Sequence, residues 1–144
     1  MDNKVNIYQQ MHISGLNQKE LIVMLYSGAL RFIEQGKELI GKKDVPGTHE
    51  KLSRARNIFI HLLGTLNMEE GGQLAQKLSS LYAYFIEKIT MANVTKNIGD
   101  LDDIIPLIQD IGSAWEKIEI DNSVIESSNK TTKNESARKV LAEA

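Results

Sequence analysis

The chain has 144 residues, 42% hydrophobic and 25% charged, with 17 Lys and Arg against 19 Asp and Glu for a formal charge of −2. That length suits one domain able to bury a core of its own, and the charge balance gives no general attraction to phosphate backbones or anionic lipid. With no cysteine in the sequence, disulfides, thiolate zinc sites and cysteine nucleophiles are excluded.

The stretch from Met1 to Ser14 lacks a basic region followed by an apolar run, so no secretory signal is expected, and no apolar stretch approaches the ~20 residues that would span a bilayer. The protein is read as soluble and cytoplasmic, with 1–16 as an N-terminal arm too short to fold alone. The first helix is predicted to open at Asn17, where Asn17 and Glu20 have capping-box spacing. Its stripe is Leu21, Leu25, Ala29, Phe32, Gly36 and Leu39, and it ends in the run from Gly41 to Gly47. A second segment, about 48–68, aligns Leu52, Ala55, Phe59, Leu62 and Leu66 and stops at Glu69-Glu70-Gly71-Gly72. The third, about 73–96, aligns Leu74, Leu78, Leu81, Phe85, Ile89 and Ala92 before the break at Asn97-Ile98-Gly99. The fourth takes Asp100 as its cap, with Asp102 and Asp103 in a first turn whose dipole favours acids. Its stripe is Leu101, Ile104, Ile108, Ile111, Trp115 and Ile118, with Trp115 as a core anchor. Pro106 requires either a start at Asp103 or a bend.

Short connections between amphipathic helices force neighbours antiparallel, so 17–120 is predicted to be an all-α, up-down-up-down four-helix bundle. From Asp121 the composition turns to Ser, Thr and Asn with few apolar residues. Such a segment cannot offset the entropy of ordering, and 121–144 is read as a mobile, disordered polar tail.

Parts for catalysis are missing from the sequence. No Glu has a His three residues later, so a di-iron bundle is not specified. No Gly-x-x-x-x-Gly-Lys-Ser/Thr phosphate loop occurs, and no cofactor is expected. His61 points away from the Phe59, Leu62 and Leu66 stripe, where a histidine phosphotransfer domain would expose its imidazole. The surrounding His61-Leu62-Leu63-Gly64-Thr65 lacks the lysine such domains carry and has its glycine one place early. A solvated histidine is the plainer reading.

Apolar residues exceed what one stripe per helix can use. Leu21 to Tyr26 is apolar all round, and the runs from Ile58 to Leu63 and from Leu81 to Ile86 nearly are. Val23 and Leu30 fall opposite the core stripe of their helix, Tyr84 and Met91 well off theirs, and Ile58, Ile60 and Leu107 at the shoulders. Such surplus either marks a site for an amphipathic partner helix, widens the core, or forms a homodimer seam. A tyrosine–methionine pair suits an adaptable surface.

Four pieces of sequence then stand in a recognisable order: Tyr8-Gln9-Gln10 in the arm, Glu20 to Ala29 containing Leu25-Tyr26-Ser27-Gly28, Leu81-Tyr82-Ala83-Tyr84 ahead of Ala92-Asn93, and Ala114-Trp115. In order, spacing and length this resembles, over about 5–120, the flagellin export chaperone family known as FliS. The resemblance implies a non-catalytic helical bundle that binds the disordered C-terminal segment of flagellin, prevents its premature polymerisation and offers it to the flagellar type III export gate. It also implies an arm that covers part of the client groove, and it leaves room for a co-chaperone and for a monomer or weak homodimer. Ile7, Tyr8, Gln9, Gln10 and Met11 are assigned to that arm's cover or client contacts. Val23, Leu30, Ile58, Ile60, Tyr84, Met91 and Leu107 are added as client contacts from the helical wheel alone. Two departures from the family pattern stand out. Val5 occupies the place of an earlier tyrosine, and Gln18 that of a helix-opening proline, which only preorganises a backbone Asn17 would already cap.

Overall fold

The computed structural model describes residues 18–117 together with Val140 and Leu141. Four helices follow in order: α1 (Gln18–Gly41), α2 (Val45–Gly64), α3 (Gly72–Thr95) and α4 (Ile98–Lys117). Each packs on two neighbours, α1 and α3 both lying against α2 and α4, which gives the expected antiparallel four-helix bundle. The arm and the proposed cap at Asn17 lie outside the described residues, as does most of the expected tail. Val140 and Leu141 correct the tail reading at two positions: they are helical and half-buried against the core.

The helix starts differ from expectation for local reasons. α2 begins at Val45, ahead of the predicted 48, because Asp44 caps it by accepting from the Gly47 amide at 3.0 Å. Pro46 fits there because amides of the first turn have no intrahelical partner to lose. α2 also ends earlier than predicted, at Gly64, where the Thr65 amide and hydroxyl turn back to Leu62. α4 begins at Ile98, and its cap is Asn97, whose side chain accepts from the Gly99 amide at 2.9 Å. Asp100 is therefore a first-turn acid rather than the cap, and Pro106 lies inside the helix. Two tight turns need left-handed backbone at non-glycine residues, Lys43 before α2 and Lys96 after α3. Lys96 closes α3 by returning its amide to Ala92 at 2.7 Å.

The core takes Leu25, Ala29, Phe32, Leu52, Phe59, Leu62, Phe85, Ile89, Ile104 and Ile108 from the predicted stripes. Gly36 permits the closest approach of α1 to α2: a Cβ there would stand 2.5 Å from Leu52 Cδ2. On α3 the predicted stripe holds at Leu78, Phe85, Ile89 and Ala92, while Ala75 and Tyr82 are buried beside it and Leu81 is only half-buried. Leu74 is exposed. Trp115 is buried as expected.

Candidate functional site

At the centre of the bundle each helix contributes an aromatic ring. Tyr26 of α1 meets Phe59 of α2 edge-on at 6.1 Å, and Phe59 packs on Tyr82 and Phe85 of α3. Tyr26 donates to the Tyr82 hydroxyl at 2.8 Å, and Trp115 of α4 lies beside both phenols. Burial raises both phenol pKa values, Tyr82 to about 12, so each stays protonated in the fold. A buried hydroxyl is tolerated only when partnered, and here each one finds its partner on another helix. This cluster fixes the relative placement of all four helices and so of the surface they present.

That surface carries large apolar groups along the seam of α3 and α4. Tyr84, Lys88 and Met91 recur at helical spacing on α3, and both Tyr84 and Met91 are exposed. Lys88 Nζ lies 5.8 Å above the Tyr84 ring and pairs with Asp103 at 3.2 Å and Asp100 at 3.4 Å on α4. These aspartates, Asp103 first, raise the Lys88 pKa. Leu107, 40% exposed, stands one turn beyond Asp103. Tyr84, Met91 and Leu107 are thus brought to one side of the bundle, around a cross-helix ion-pair cluster. The arrangement has apolar anchors for a partner helix and opposite charges fixing the seam beneath them.

The remaining predicted contacts divide. Ile60 is exposed, at 48%, on α2. Ile58 is fully buried and belongs to the core, because α2 turns the shoulder it occupies toward α1: its Cδ1 would meet a Cβ on Gly28 at 3.5 Å. Val23 and Leu30 do not face solvent squarely either. They are half-buried and packed against the core, since the core stripe of α1 is wide enough to include Ile22, Tyr26 and Ile33. Ile7, Tyr8, Gln9, Gln10 and Met11 lie outside the described residues. Sequence reasoning missed the exposure of Leu74, which was placed on the core stripe, and of Val94, at 78%, near the end of α3.

His61 is half-buried in the last turn of α2, where the helical wheel had it exposed. His49 meets the Asn93 amide at 3.0 Å, tying the start of α2 to the end of α3. Among the described residues no group of His, Asp or Glu is arranged to hold a metal ion, and no helix is long and apolar enough to cross a membrane.

Against known proteins, the chain matches the family model described as flagellar protein FliS over residues 1–122. It is 36% identical over 115 residues to the flagellar secretion chaperone FliS of Vibrio cholerae, covering 80% of this chain and 83% of the relative. The flagellar secretion chaperone FliS of Campylobacter jejuni is 32% identical over 119 residues, covering 83% of this chain and 93% of that protein. The Bacillus subtilis chaperone of the same name is 29% identical over 117 residues, with 81% and 86% covered. These relatives are named as flagellar secretion chaperones, a role without catalysis.

Proposed function

The chain belongs to the FliS family of flagellar proteins, and from that premise we propose that it is a cytoplasmic chaperone of flagellin export. It binds the disordered C-terminal segment of flagellin, keeps that segment from polymerising early, and delivers it to the flagellar type III export gate. The observation that carries this reading is the family match across residues 1–122, which takes in all four helices.

Physical chemistry supports the same role. A disordered client must be ordered as it binds, so its affinity has to come from a large wrapped apolar surface. Ile60, Tyr84, Met91 and Leu107, among other exposed apolar residues, supply anchors on the bundle's surface. The arm, with Ile7, Tyr8, Gln9, Gln10 and Met11, serves as a removable cover of the client groove. Release needs no nucleotide, because the export machinery takes the client away.

Titration calorimetry of the full chain with a peptide of flagellin's C-terminal segment tests the proposal. Tight binding with a clearly negative heat-capacity change is expected, the mark of apolar burial. Absence of heat at micromolar concentrations sinks it. If the exposed apolar side chains instead joined two copies of this chain, sedimentation would show a dimer that added client leaves intact.

A further inference from the structure

The C-terminal pair Val140 and Leu141 is where the structure departs most from a polar tail. Both residues are helical and half-buried against the core, although the sequence between Asp121 and Lys139 is dominated by Ser, Thr, Asn and charged residues. They also lie beyond residue 122, where the family match stops. Leu141 seats over Gly28 of α1. A Cβ built on that glycine would stand 3.2 Å from Leu141 Cδ2 and 3.5 Å from Ile58 Cδ1. Gly28, itself buried, therefore leaves a notch at the α1–α2 seam, and the leucine fills it beside Ile58. Met24, half-buried against the same core, stands one turn before Gly28.

We propose that this notch is a docking site for a short apolar helical turn, occupied in the free chain by its own Val140 and Leu141, which a client must displace. The displacement rests on the chaperone reading above; the docking does not. Geometry allows the contact. Residues 118–139 span as much as about 70 Å when extended, whereas Gly28 lies only about 15 Å along α1 from its start. A tether of this length holds the turn at an effective concentration on the order of millimolar, so a two-residue apolar contact is populated without being permanent. Apolar surface at the seam is thereby covered while no client is present. Client affinity is lowered by the fraction of chains in which the notch is already filled.

The test uses the full chain. Methyl NMR of the wild type is expected to show an NOE between Leu141 and Ile58, and its absence overturns the docking. Leu141→Asp is expected to raise affinity for the flagellin C-terminal peptide on the order of fivefold, by freeing the notch. Gly28→Ala, whose Cβ would stand 3.2 Å from Leu141 Cδ2, is expected to weaken the Leu141–Ile58 NOE without raising peptide affinity, because it fills the notch for both occupants. An NOE that survives saturation with peptide, or an affinity unchanged by Leu141→Asp, overturns the displacement. If neither wild type nor Leu141→Asp binds peptide, the chaperone reading fails and the displacement with it, while the NOE alone still establishes the docked turn.

Discussion

The hydroxyls of Tyr26 and Tyr82 are held 2.8 Å apart with both residues 1% exposed, so ionising either one inside the fold is opposed by burial. An unfolded tyrosine titrates near 10. Folded, Tyr82 is pushed up to about 12 and Tyr26 is raised as well. Below pH 10 both states hold these protons and the contribution to stability is complete. Between about pH 10 and 12 the unfolded chain releases protons the folded chain keeps, and stability falls by about 1.4 kcal/mol per pH unit for each phenol. Urea midpoints are therefore expected to stay flat to about pH 9 and drop steeply above 10, with Tyr26→Phe removing about half of the slope. Lys37 and Lys88, raised by their aspartates, act in the same direction, but solvent screens such pairs. An unchanged slope in Tyr26→Phe would show that the phenols are not its source. The hydrogen bond was not legible in the sequence, because its partners lie 56 residues apart and a tyrosine among leucines reads equally well as surface or core.

Where α1 crosses α2, a glycine replaces what elsewhere is a side chain. Gly36→Ala gains about 1 kcal/mol of helix propensity but sets a Cβ 2.5 Å from Leu52 Cδ2, a leucine with no exposed surface. Overpacking of this kind typically costs about 1–3 kcal/mol, so a net loss of stability is expected in thermal melts. A gain would mean that Leu52 repacks freely. At the next junction, Asp44→Ala removes the acceptor of the Gly47 amide and should cost about 1 kcal/mol. Helix number, order and most of the core were legible from spacing alone, since Leu52, Phe59, Leu62, Phe85, Ile89, Ile104 and Ile108 repeat at helical intervals and are buried. Boundaries were not. Pro46 and Gly47 read as loop until Asp44 is seen capping them, and Asn97 read only as part of a break until its side chain is seen accepting from Gly99. On α3 two positions of the stripe were misplaced, because Leu74 and Leu81 look more like core than Ala75 and Tyr82. The tertiary contacts of Tyr82 with Tyr26, Phe59 and Trp115 decide otherwise.

Taken as a whole, the bundle separates what holds it together from what it offers outward. Tyr84, Met91 and Leu107 are exposed beside the Lys88 ion pairs, so replacing all three with Ser should change stability by no more than about 0.5 kcal/mol per site. The same triple variant is expected to weaken binding of the flagellin peptide at least tenfold in calorimetry. Unaltered binding would move the client surface elsewhere on the molecule. This surface was only partly legible. The helical wheel found the exposure of Ile60, Tyr84, Met91 and Leu107, but it set Ile58 at the same kind of shoulder, because no wheel shows which shoulder a neighbouring helix will cover. The burial of Trp115, the chain's single tryptophan, has a practical corollary. Its indole, surrounded by two phenols, emits from the interior and not from the outer face. Its spectrum is thus an internal gauge of unfolding that should hold steady during client capture, letting integrity and binding be followed separately in one cuvette.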